Sequence, residues 1–469
     1  MKGIVVSKYL MNRRFRRKIR SKMKQKLRRK RMLSVQYNFS GYYRQLRKNI
    51  NSLTDVFNTC MPNHFKYLIT AKTSPFWQEK LDRFNFKREL RLAVPNEFSI
   101  ISNPSASYEF LKKLISVILH QSCEHLWLDY SNCKKCDLAT QVFMDSILID
   151  NHEFIKQCQR ANLTKYLKIR SIGGCSINEP KLQLMINSVG SPVELLHRNV
   201  KFSNIIPFKL RHLDRSCVTK QVQSGQKEID TTDLIQYVID CLGRFNMNLS
   251  QQARQDLGNV IGEIISNAEE HSSLHNRYLI GYMEESSSNY EHQGILNLVM
   301  MNSGCTIYEK FKFPDPVQPF NNDCLKQMQE LSDNFHKKSF FRPKAFTEEN
   351  LWTLYSLQGG VSSIPPSIRK RGNGTIEFID SFFNLKGTTD VDNISKMSII
   401  SGNTQIDFDG TYRIARIQNK YGEIVSRMTF NTTNSLEDKP DSKYVFHIDN
   451  YFPGTIISAQ LLIHNSNIQ

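Results

Sequence analysis

Leu257–His271 reads LGNVIGEIISNAEEH, and its reading decides the fold of the C-terminal half. Val260, Ile261, Ile264, Ile265 and Ala268 recur at helical spacing and form one apolar face. Glu263 and Asn267 are four apart, so they project from the same side one turn from each other, and His271 stands a further turn along. A carboxylate and a carboxamide stacked in this way suit a site that needs a base and a metal ligand. Taken alone, the segment equally suits a surface helix with ordinary polar residues.

Working outward, 278–284 and 295–301 read as two strands joined by a polar hairpin, 286–294. The second strand ends in Asn302-Ser303-Gly304. A long irregular stretch, 312–370, follows, with a helix expected at 349–358. Arg371-Gly372-Asn373-Gly374-Thr375 then opens a helix over 376–383. A glycine-rich turn entering a helix offers backbone N–H groups and the positive end of the dipole to an anion. Phe452-Pro453-Gly454-Thr455 leads into a strand at 456–463.

In this order the segments resemble the GHKL (Bergerat-fold) ATPases, the superfamily of type II topoisomerases, Hsp-ninety-type chaperones, histidine kinases and MutL. Glu263 to Ala268 resembles the E-x-x-x-N-A of their N-box, and Asn302-Ser303-Gly304 the start of the first glycine box. Gly372-Asn373-Gly374 resembles the later glycine box, and Gly454-Thr455 the final Gly-Thr on a core strand. The resemblance covers 220–469 and implies an α/β sandwich with a mixed sheet that binds ATP and Mg²⁺.

It further implies roles. Asn267 would ligate Mg²⁺ through its side-chain oxygen, and Glu263 would orient and deprotonate the attacking water. Gly372 and Gly374 would let the backbone approach the phosphates. Thr455 would donate near the phosphates or the adenine, and Arg371, with Arg369 and Lys370, would add positive charge. His271, Gly304, Asn373 and Thr375 complete the expected nucleotide-binding set. The first glycine box departs from the pattern twice. Asn302 stands where Asp accepts from the adenine amino group, and Thr306 replaces the second glycine. GHKL proteins close a lid on ATP, often with dimerisation or domain movement, so 312–370 is the expected lid and a homodimer an expected state.

Three functions stay open at this point. The first is an ATP-hydrolysing conformational switch or regulator. The second is a serine/threonine protein kinase of anti-sigma type, whose N-box shares the N-A-x-x-H of Asn267, Ala268 and His271. The third is a non-catalytic nucleotide-binding scaffold. A histidine kinase is disfavoured because no His lies between Thr231 and Glu270, where a phosphoacceptor helix belongs.

Upstream, a strand at 98–101, a helix at 108–120, a strand at 126–130 and a helix at 137–148 alternate as in a small α/β domain. Residues 93–215 resemble a STAS-type domain, although Leu138 and Ala139 follow Asp137 where a phosphoacceptor serine belongs. Residues 35–92 read as helical, without assignable chemistry, and a further helix is expected at 233–242. His120-x-x-Cys123 and Cys133-x-x-Cys136 have a superficial zinc spacing, but an apolar strand lies between the pairs, and ordinary thiols are the expected reading.

Composition bounds the rest. The chain has 469 residues and a net charge of +19, with 63 Lys and Arg against 44 acids. Fifteen of the bases and no acid fall within 1–31, so the remainder carries only +4. In this tail (1–34) Phe15, Ile19, Met23 and Leu27 make one apolar stripe on a cationic helix. The stripe fits anionic lipid, nucleic-acid phosphates, a targeting presequence or a solvated extension. No apolar run reaches the roughly 20 residues of a membrane span. Scattered cysteines and no secretory leader lead to an expected cytoplasmic location, with an unidentified protein partner.

Overall fold

Strand β1 (Lys87–Ala93) alternates buried Leu90 and Leu92 with exposed Arg91, so a stretch read as helical is extended. Only two of its seven residues are apolar enough to mark a core face, which hid the period of two. The computed structural model describes residues 50–190, 205–214, 220–244, 248–271, 273–274, 276–288, 291–314, 316, 319–338, 346–365, 374–386, 394–418, 422 and 424–463. Only the backbone is described at 213–214, 220–225, 266–271, 286–288 and 291–293. The basic tail and the stripe within it lie outside these residues.

Two compact units divide the chain, Met1–Met61 with Glu153–Leu167, and Pro62–His152 with Lys168–Gln469. The first contains helix α1 (Leu53–Cys60), opened by a reciprocal cap between Ser52 and Asp55. Its Phe57 stacks on Phe154 with ring centroids 4.6 Å apart.

The second unit holds two sheets. After α2 (Asn63–Thr70), β1 pairs with β3 (Cys123–Asp129), and β3 with β5 (Ser171–Cys175), all parallel, in the order β1-β3-β5. Helix α3 (Pro104–His120) precedes β3, and α4 (Leu138–Arg160) follows it. The strand expected at 98–101 is only β2 (Glu97–Phe98), paired in parallel with β4 (Lys135–Cys136). Thereafter Ser99 Oγ accepts from the N–H groups of Ile101 and Ser102, which turns the chain out of the ladder.

The larger sheet has the order β6-β7-β8-β12-β9. Its strands are β6 (Ile205–Asp214), β7 (Asn276–Ser288), β8 (Glu291–Ser303), β9 (Lys396–Phe408) and β12 (Val445–Ile463). Every pairing is antiparallel, which corrects the expectation of a mixed sheet. The connection from β8 to β9 does return the chain in the same direction. However, β12 enters between them and opposes both, so no parallel pair forms. Parallel pairing is confined to the small sheets, and the chain is of mixed α/β class.

Helices α6 (Lys220–Arg244), α7 (Gln251–His271) and α11 (Gly374–Lys386) share one core with the larger sheet. Val260, Ile261, Ile264 and Ile265 of α7, Phe378 and Phe382 of α11, and Leu296, Leu298 and Met300 of β8 all belong to it. Burial of each such side chain contributes roughly 1.5–3 kcal/mol before entropy is charged. Helix α8 (Ile307–Lys312) precedes the stretch expected to be irregular, which contains α9 (Asn322–Lys338) and, where a helix was expected at 349–358, α10 (Glu348–Ser356). Leu351, Trp352, Leu354 and Tyr355 bury α10 in the same core, and Trp352 Nε1 donates to Ser332 Oγ at 3.2 Å. Helix α5 (Pro180–Val189) lies between β5 and β6 in the chain, and β10 (Ala415–Gln418) and β11 (Ile424–Arg427) form a hairpin between β9 and β12.

Glu349 of α10 gives a pH test of this packing. Its Oε1 accepts from Asn403 N–H at 2.7 Å, while burial and, more weakly, Glu309 push the carboxyl above its ordinary 4.5. A raised folded value means that folding favours the protonated form, so stability falls as pH rises from the ordinary value through the raised one. Glu349→Gln keeps the acceptor without the charge. Relative to wild type, the variant should gain stability between roughly pH 5 and roughly pH 7 in urea unfolding. An identical difference at the two pH values would remove the assignment.

Candidate functional site

Helix α7 begins at a Ser250 cap, whose Oγ accepts from Ala253 N–H at 3.2 Å, and runs unbroken through 263, 267 and 271. Its apolar face fixes the rotation of the helix. Glu263 is half-buried; Asn267 and His271 are placed by the backbone alone, one and two turns on.

The described end of the glycine-rich stretch meets this helix. Gly374 is the first residue of α11, and a Cβ built on it would lie 2.2 Å from Glu263 Oε2 and 2.7 Å from its Cδ. Only glycine lets the carboxylate come this close to the start of α11. A negative charge there is also favoured by the helix dipole, typically by about 0.3–1 kcal/mol. Thr375 is half-buried in the same turn, whereas Arg371, Gly372 and Asn373 lie outside the described residues.

The other expected residues meet at the paired ends of β8 and β12. Thr455 is in register with Asn302, and its N–H donates to Asn302 Oδ1 at 3.0 Å. Asn302 is buried, so its carboxamide is held in one orientation. Asn302 Oδ1, a carbonyl oxygen with two lone pairs, is thereby fixed as an acceptor. Thr455 Oγ1 lies 2.9 Å from Ser401 Oγ, which donates to Gly454 O at 3.1 Å and accepts from Ile307 N–H at 2.9 Å. Gly304 adopts φ 123° and its N–H donates to Pro453 O at 3.2 Å. Thus the Asn302–Gly304 and Gly454–Thr455 segments are one another's partners.

Thr306, standing in place of a glycine, has a local reason. It caps α8, accepting from Glu309 N–H at 3.1 Å while Glu309 Oε2 accepts from its own N–H at 2.9 Å. Sequence reasoning named neither this box nor Ser401, and the Thr306-x-x-Glu309 spacing was the available signal for the box.

Burial pushes the Cys123 and Cys133 thiols up to about 11, which disfavours the thiolate a metal requires. Among the described residues, no group of three or more His, Cys, Asp or Glu is disposed to hold a metal ion. Among them, too, no helix is long and apolar enough to cross a membrane. Comparison of the chain with protein-family models, curated proteins and solved structures gives no match.

Proposed function

We propose that residues 220–469 bind Mg·ATP and hydrolyse it, and that the cycle acts as a conformational switch. The observation that carries this reading is the contact of Gly374 with the Glu263 carboxylate. Two motifs far apart in sequence, one suited to water activation and one to phosphate approach, share a single point. The Asn302–Thr455 bond supports an adenine end, since it fixes an acceptor and brings a hydroxyl beside it.

In this reading, Glu263 orients the attacking water and takes its proton. Asn267, one turn along the same helix, offers its side-chain oxygen to Mg²⁺, which commonly takes only one or two protein ligands. When bound, the metal neutralises developing phosphate charge. The N–H of Gly374 and the N-terminal end of α11 hold the phosphates.

The same contact favours one competing reading. Glu263 would then serve only as a cap for α11, and the protein would be a nucleotide-binding scaffold. Calorimetric titration of the purified protein with Mg·ATP, with phosphate release measured in parallel, separates the readings. The proposal expects micromolar to millimolar binding and release that depends on Glu263. Binding without release supports the scaffold, and failure of wild type to bind ATP overturns both.

A further inference from the structure

The face of the larger sheet opposite α7 and α11 carries a polar row that the nucleotide reading does not use. Alternation sends Leu296, Leu298 and Met300 into the helix-covered core and turns Asn297 the other way. Tyr282, Asn297, Gln460 and Lys396 stand in register across β7, β8, β12 and β9. Gln460 Nε2 donates to Asn297 Oδ1 at 3.0 Å, and Asn297 Nδ2 is left buried without a partner.

All four residues line a cavity of about 600 Å³, within the roughly 300–1,000 Å³ of small-molecule pockets. Its opposite wall is Asp137, at the start of α4. Asp137 Oδ1 accepts from Thr140 N–H at 2.6 Å, Ser99 stands beside the carboxylate, and Oδ2 is buried with no partner within ordinary hydrogen-bond length. Asp407 adds a second half-buried acid, which accepts from Gln405 Nε2 at 3.1 Å. Burial pushes both carboxyls above the ordinary range. Lys396 and Lys443, which also line the cavity, are exposed.

A buried donor and a buried acceptor left unfilled each cost about 1–3 kcal/mol, and native interiors rarely retain them. Here the residues that carry both, Asn297 and Asp137, line one cavity, with Asp407 beside them and the exposed Lys396 and Lys443 also in its lining. That arrangement matches a small molecule with a cationic donor inward and an anion outward.

We infer that this cavity binds a zwitterion of the α-amino-acid class. The ammonium group donates to Asp137 Oδ2, Asn297 Nδ2 donates to a ligand oxygen, and the carboxylate pairs with Lys396 and Lys443. The site is separate from the nucleotide reading, because it lies on the other face of the sheet.

The test is a thermal-shift screen of the full-length protein against the common α-amino acids at millimolar concentration, without nucleotide. Calorimetric titration of any hit follows. At least one amino acid should raise Tm by about 2 °C or more. Asp137→Asn keeps an N-cap acceptor for α4, and Lys396→Glu changes an exposed side chain, so both should fold. Each should weaken amino-acid binding tenfold or more, whereas Glu263→Gln should leave it unchanged. No binding by any amino acid overturns the proposal. So does binding indifferent to both cavity variants, or a cavity that responds only to adenosine monophosphate.

Discussion

Replacing Gly454 with alanine is expected to cost about 2–6 kcal/mol of folding stability, a large share of the roughly 5–15 kcal/mol that holds a typical domain folded. Gly454 has φ 148°, a conformation L side chains rarely adopt, and strain of this kind costs on the order of 1–3 kcal/mol. A Cβ there would lie 2.2 Å from the Asn302 carbonyl oxygen and 2.8 Å from Ser303 Cα. These are backbone atoms of β8, which is paired on both sides within the sheet. They cannot swing away as a side-chain tip can, and overpacking adds roughly 1–3 kcal/mol. Gly360 provides the control. It also has positive φ, 82°, but nothing lies within 4 Å of its added Cβ. Gly360→Ala should therefore show only the strain component in urea unfolding, on the order of 1–3 kcal/mol and less than Gly454→Ala. Equal losses in the two variants would mean that the close approach of β12 to β8 contributes nothing.

Gly454 also marks where sequence reading met its limit. Phe452-Pro453-Gly454 carries the punctuation of a loop, and the strand was expected only after it. In the fold β12 runs through this segment, with its register to β9 shifting between His447 and Phe452 and again between Phe452 and Thr455. The irregularities let Pro453 and Gly454 sit inside a strand without breaking it. By contrast, α7 was legible because four buried apolar residues repeat at helical spacing. The apolar runs of β7 and β8 were legible for the same kind of reason. The order of β12 between β8 and β9 depends on pairings between distant segments, which no local pattern specifies.

The two candidate sites divide along the same line. Glu263 and Gly374 could be named from local chemistry and from the order of the GHKL-like segments, but their contact follows only from the packing of α7 on α11. The row of Tyr282, Asn297, Gln460 and Lys396 had no sequence signature as a unit. Each residue is a single polar position in its own strand, and the row exists only once the register is set. Asn297 within ILNLVMM and Gln460 within ISAQLLI were nevertheless visible as polar interruptions of apolar runs.

The largest expected change in activity lies at the Glu263–Gly374 contact. Glu263→Gln preserves side-chain size and an acceptor oxygen but removes the base, so phosphate release should fall by about 10²–10⁴-fold. ATP binding should persist, and Tm should move little because an acceptor still faces the start of α11. Gly374→Ala attacks the same contact from the other side. Its Cβ would meet the end of a flexible side chain, so the Glu263 carboxylate would swing aside at little cost in stability. The swing would carry the base away from its water, and release should fall at least tenfold. If both substitutions act through one carboxylate, the double variant should be no slower than Glu263→Gln alone, because the second change has nothing left to displace. Multiplicative losses in the double variant would assign Gly374 a role independent of Glu263. A fall in Tm of several degrees in Glu263→Gln, with release unchanged, would make this carboxylate a cap on α11 and place any base elsewhere.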